Sequence, residues 1–114
     1  MSQAALQGLS NSKLAIEMTD EQRKALAEVM TVRDLAAGEV LVREGDVDDH
    51  LYVVSNGMIG IIKAAGTENE VTLNTLRPGD VAGELSFLDG ATRYASLISM
   101  NPSQVLGLSR GDLE

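Results

Sequence analysis

The chain has 114 residues, 44% of them hydrophobic, and seventeen acidic against nine basic residues give it a formal charge of -8. That apolar content suffices for one core and excludes a disordered polar chain, while the negative surplus repels a nucleic-acid backbone and excludes DNA as the partner of this segment. The absence of cysteine excludes disulfides, thiolate metal sites and thiol catalysis.

No apolar run reaches the roughly 18 residues of a membrane span, and Met1 is not followed by a basic and then apolar signal segment. The segment is therefore expected to be soluble, without a membrane contact, and compatible with a cytoplasmic setting.

Residues 1–31 read as an N-terminal helical segment. Up to Glu17, Leu6, Leu9, Leu14 and Ile16 show no strong period among Ser, Gln, Ala and Asn, which predicts a loose helix or a docking arm. A clearer helix is predicted over 19–30. Thr19 and Gln22 form a capping box there, and Asp20 and Glu21 suit its positive end. Leu26, Val29 and Met30 are expected on one face.

From Val32 the pattern changes to short strands. Residues 40–42, 51–54, 58–63, 71–76, 94–100 and 104–108 are rich in β-branched or large apolar side chains. Between them lie the turn signals Ala37-Gly38, Glu44-Gly45-Asp46, Asn56-Gly57, Ala65-Gly66 and Pro78-Gly79-Asp80. Asn-Gly between two apolar runs predicts a hairpin. Regular short strands with glycine turns predict a mainly β sandwich or barrel. Alternation puts Ile59 and Ile61 on one face of 58–63, and Val71, Leu73 and Thr75 on one face of 71–76.

Within 79–97, GDVAGELSFLDGATRYASL, the residue types suit a small anion that also carries hydroxyls. Backbone amides at Gly83 and Leu85 suit phosphate oxygens at the first turn of a short helix, and Gly83 has no side chain to obstruct them. Arg93 supplies a planar, permanently charged guanidinium able to grip two oxygens. Glu84 would repel a phosphate but accepts well from a neighbouring sugar hydroxyl.

This stretch resembles the phosphate-binding cassette of the cyclic nucleotide-binding domain family, found in catabolite activator proteins and in the regulatory subunits of cyclic AMP-dependent protein kinase. Gly83, Glu84 and Leu85 match the family's Gly-Glu-Leu, and Arg93 follows Glu84 by nine residues. Gly38, Gly45, Asp46, Tyr52 and Gly57 fall where the family places turn glycines and a core tyrosine. The resemblance covers residues 32–109. It implies a β-roll of jelly-roll type, a short helix in the cassette, and cyclic AMP or cyclic GMP as ligand with no cofactor. Ligand contacts are implied for Gly83, Glu84, Leu85, Arg93, Tyr94 and Ala95, with Ile61 and Leu73 against the ring system. It also implies a regulatory switch rather than an enzyme. The output would be an attached domain or a partner protein.

Two departures stand out. Relatives usually have Ala, Ser or Thr after the arginine, where this chain has Tyr94; its ring would fill the pocket, turn outwards or stack on the ligand. The missing small hydroxyl there leans towards cyclic AMP over cyclic GMP. Residues 110–114 read as the start of a helix capped by Ser109. In the family, helices follow that cover the base and often carry a dimer contact, so the chain reads as a fragment and a homodimer stays open. The competing expectation is a degenerate domain of the same fold that serves protein interaction without nucleotide. A metal-dependent jelly-roll enzyme is disfavoured because His50, beside Asp48 and Asp49, is the one histidine of the chain.

Overall fold

The computed structural model describes residues 3–16, 18–47, 49–82 and 93–109. Among these residues, two helices, α1 (Gln3–Ser10) and α2 (Asp20–Val29), flank a 3-10 turn (Lys13–Ala15). Eight strands follow: β1 (Thr31–Leu35), β2 (Val40–Val42), β3 (His50–Asn56), β4 (Ile59–Lys63), β5 (Val71–Leu76), β6 (Val81–Ala82), β7 (Ser96–Ser99) and β8 (Ser103–Ser109).

The strands form two antiparallel four-stranded sheets, in the orders β1-β8-β3-β6 and β2-β7-β4-β5. Among the described residues, consecutive strands thus alternate between sheets in a jelly-roll β-roll, and only β4–β5 is a hairpin. The expected Asn56-Gly57 hairpin is therefore not one. Its turn carries the chain from β3, which pairs with β8 and β6, across to β4, which pairs with β5 and β7. Gly57 is required by both backbone and space. Its φ is +84°, and a Cβ there would lie 2.2 Å from the Ser103 hydroxyl. The same hydroxyl accepts from the Met58 N–H at 3.1 Å, so the β3–β4 corner nests on the β7–β8 corner.

Two cores lie on either side of the first sheet. Leu51 and Val53 of β3, with Leu106 and Leu108 of β8, meet Ala5, Leu9, Ala15, Ala27 and Met30 of the helical segment. Tyr52, Val54 and Val105 point the other way, against Leu41, Val42, Ile59 and Leu97 of the second sheet. Period-two alternation explains why β3 is buried along both faces.

The N-terminal segment is more ordered than its sequence suggests. Ala5 and Leu9 are fully buried. A Cβ on Gly8 would stand 2.9 Å from the Ser55 Cβ, so the helix approaches the sheet through small residues that a hydrophobic-period reading passes over. The capping box of α2 forms as expected, with Gln22 N–H donating to the Thr19 hydroxyl and Thr19 N–H to the Gln22 side chain. Its buried face is shifted, however. Ala27 is buried with Met30, and Val29 is 41% exposed, because Ala27 and Met30 share the face on which Leu26 also packs.

The 3-10 turn is latched to the turn before β6. Lys13 N–H donates to the Gly79 carbonyl at 2.9 Å, and the Lys13 ammonium pairs with Asp80. Gly79 N–H in turn donates to the Val54 carbonyl at 2.8 Å.

Two outcomes follow from these contacts. Leu9→Ala is expected to cost about 2–5 kcal/mol, read as a lower urea midpoint at unchanged slope; a loss below about 1 kcal/mol would mean that α1 is not part of the core. The Asp80 carboxyl is held below its ordinary 3.8, first by the Lys13 ammonium and then by the Arg77 N–H. A carboxylate with a lowered folded value contributes stability above its unfolded value and loses it as pH falls through the folded one. Lys13→Ala should raise the Asp80 midpoint in a carboxyl-carbon NMR titration. It should cost under about 1 kcal/mol near neutrality, since Lys13 is largely exposed, and nothing once Asp80 is protonated.

Candidate functional site

Arg93 reaches its position through backbone bonds from the loop between β2 and β3. Gly45 N–H donates to the Arg93 carbonyl, and Arg93 N–H donates to the Asp46 carbonyl, both at 2.8 Å. Gly45 adopts φ +89°, which lets this loop turn back onto the segment before β7. Glu44 braces the same region. Its N–H donates to the Ser96 hydroxyl at 3.0 Å, and its carboxylate accepts from Ala64 N–H at 2.8 Å and pairs with Lys63 at 3.1 Å. The Lys63 ammonium also donates to the Tyr94 carbonyl at 2.7 Å.

The Arg93 side chain is 6% exposed. Its Nη2 donates to the His50 carbonyl, and its guanidinium carbon stands 5.8 Å from the Tyr52 ring centroid. The His50 ring stacks on Tyr52 at 5.7 Å and 12°. His50 and Tyr52 are two apart on β3 and so share a face. A cation buried in this way acts through a lower effective dielectric than an exposed one, which strengthens its pull on an anion.

Of the residues singled out from the sequence, Gly83, Glu84 and Leu85 and the expected cassette helix lie outside the described residues, as does the helix expected over 110–114. Ser109 is the last residue of β8. The Tyr94 ring points outwards and is 65% exposed, whereas Ala95 is buried. Ile61 is half-buried against the core between the sheets and stands opposite Leu97 of β7. Leu73 is 49% exposed. The expectation that Val71, Leu73 and Thr75 share a face is overturned by a register shift: Ile61 pairs with Asn74 and Ile62 with Thr72, leaving Leu73 as the extra residue. Val71 then faces Lys63 and Thr75 faces Gly60, which are on opposite sides of β4.

The sequence reading missed the supporting shell. Tyr52 is expected in the core and His50 is noted only as the one histidine of the chain; neither position signals that the two meet Arg93.

The model of the cyclic nucleotide-binding domain family matches residues 32–114. The chain belongs to that family. It is 28% identical over 102 residues to the cAMP-dependent protein kinase regulatory subunit of Blastocladiella emersonii, covering 90% of this chain and 25% of that protein. It is 33% identical over 75 residues to the cyclic AMP receptor protein of Thermus thermophilus, covering 66% of this chain and 35% of that one. A solved N-terminal domain of a transcriptional regulator from Streptomyces coelicolor is 33% identical with a TM-score of 0.85, over 93% of this chain and 76% of the other. The chain thus spans a quarter to about a third of the length of these two curated relatives. Among the described residues of this cyclic nucleotide-binding domain, no helix is long and apolar enough to cross a membrane.

The brace around Arg93 can be tested by titration. The Glu44 carboxyl is held below its ordinary 4.5, first by the Ala64 N–H and next by Lys63. Lys63→Met should raise the Glu44 midpoint in a carboxyl-carbon titration and shift the amide resonances of Tyr94 and Ala95. Unchanged resonances at both places would show that the Lys63 bridge does not form in solution.

Proposed function

We propose that this chain is a regulatory module that binds a cyclic nucleotide, cyclic AMP in preference to cyclic GMP, and switches an attached or partner domain. The observation that carries the reading is the buried guanidinium of Arg93, which donates to the His50 carbonyl and lies over an aromatic face while two hydrogen bonds hold its backbone, within the family's domain. In this scheme Arg93 neutralises the cyclic phosphate, and the amides of Gly83 and Leu85 complete the anion shell. Glu84 accepts from the ribose hydroxyl. Tyr94 and Ala95 border the phosphate, and Ile61 and Leu73 meet the ring system.

The chemistry asked of these residues is binding, not bond making, so the module acts as a switch rather than a catalyst. A ligand moves such an equilibrium only by its difference in affinity for two arrangements. The Lys13 contacts with Gly79 and Asp80 offer a route from the turn preceding Gly83 to the N-terminal helices. The output domain, the homodimer and a cytoplasmic setting belong to the same proposal. A domain silenced by Tyr94 occupying the pocket is disfavoured by the 65% exposure of that residue.

Thermal melts with millimolar cyclic AMP or cyclic GMP provide the test. Ligand at about 100 times its Kd stabilises by roughly 2.7 kcal/mol, a rise of roughly 10–20 °C in Tm for a domain of this size. The rise should be larger with cyclic AMP and absent in Arg93→Ala, each variant being compared with its own ligand-free melt. No rise with either nucleotide, or an equal rise in Arg93→Ala, would overturn the assignment.

A further inference from the structure

Arg93, His50 and Tyr52 form a closed circuit. The guanidinium donates to the His50 carbonyl, the His50 ring stacks on Tyr52, and the Tyr52 ring lies under the guanidinium. Tyr52 itself is fixed: it is 7% exposed, it packs in the core between the sheets, and it is paired on one side with Gly107 of β8 and on the other with Ala82 of β6. A long, many-rotamer cation therefore rests on a part of the molecule that does not move without breaking the first sheet.

We infer that Tyr52 is a positioning residue for the phosphate contact of Arg93. Its ring sets where the guanidinium stands before any ligand arrives; the inference rests on the reading of Arg93 as the phosphate-binding cation. The choice of an aromatic support has a chemical reason. The negative face of a π-system attracts a guanidinium, the more so when water is excluded. Unlike a carboxylate, a ring brings no negative charge of its own to the site. A pre-set arginine also loses less side-chain freedom when the anion binds, which raises affinity without adding a contact. Tyr52 touches the ligand nowhere in this scheme. It acts through Arg93 alone.

The test compares Tyr52→Phe, which keeps the ring, with Tyr52→Leu and Tyr52→Met, which keep an apolar side chain without one, all in the 114-residue chain. Met is unbranched and adaptable in a core, so it serves where the Leu variant lowers the folded population. Calorimetry with cyclic AMP should find Tyr52→Phe within about twofold of the parent and the two aliphatic variants weaker by roughly 2- to 30-fold. Relaxation of the Arg93 Nε in the ligand-free chains should show the same ordered side chain in the parent and Tyr52→Phe, and a mobile one in the aliphatic variants.

Aliphatic variants that bind as tightly as the parent would overturn the inference. So would a Phe variant as weak as the aliphatic ones. If the parent chain binds neither cyclic nucleotide, the functional reading fails instead, and the Arg93 relaxation alone decides on Tyr52: an equally ordered guanidinium without the ring ends the positioning role.

Discussion

The antiparallel pairing of β3 with β8 is the constraint on which both the fold and the site rest. Residues 51–54 are buried on both faces: Leu51 and Val53 meet the helical segment, and Tyr52 and Val54 meet the second sheet. One strand can serve two cores because successive side chains point to opposite sides. A slip of one residue in register would exchange those faces. Tyr52 would then turn towards α1 and α2, and Arg93 would lose the ring beneath it. The registers Tyr52 with Gly107 and Val53 with Leu106 therefore specify the packing of the helices and the placement of the buried cation together.

Electrostatics makes that placement consequential. A formal charge of -8 produces a field that opposes an approaching anion, so long-range steering cannot supply affinity for a phosphate. Under the proposed reading the attraction is local and comes from a cation shielded from water, where each charge counts for more. Arg93 meets both conditions. Its backbone is bound to Gly45 and Asp46, its neighbour Tyr94 is bound to Lys63, and Lys63 is paired with Glu44. Most of this bracing comes from backbone groups and a salt bridge at the edge of the second sheet. The positively charged group itself sits on β3 of the first. The site is thus built across the seam between the sheets, where the β2–β3 loop and the segment entering β7 meet.

The parts of the fold that were legible in advance are those decided over a few residues. Thr19 and Gln22 sit three apart and satisfy each other's backbone regardless of what the helix later packs on. Gly38, Gly45, Gly57, Gly66 and Gly79 all take the positive φ that their turn contexts suggested. The strands were visible from β-branched and apolar runs, apart from β1 and the two-residue β6. Legibility failed where size mattered more than polarity, as at Ala5 and Gly8 of α1, whose close approach to the sheet is made by side chains too small to register as a hydrophobic stripe. It failed again at Leu73, because a bulge shifts the alternation without altering the composition of the strand.

Sequence by itself determined the helix cap, the turns, the mainly β character, and the presence of one arginine at a family spacing from a Gly-Glu-Leu motif. Each of these depends on residue type and on neighbours close in the chain. Tertiary structure decided which strands pair, so that Asn56-Gly57 crosses between sheets instead of closing a hairpin. It also decided that Val29 faces water, that Tyr94 turns outwards, and that Arg93 is buried over Tyr52. Those outcomes join residues far apart in the chain, Lys13 with Asp80 and His50 with Arg93 among them. The entropic cost of closing such loops changes only slowly with their length, so local sequence carries little information about which distant partners meet; the packing of the two sheets selects them.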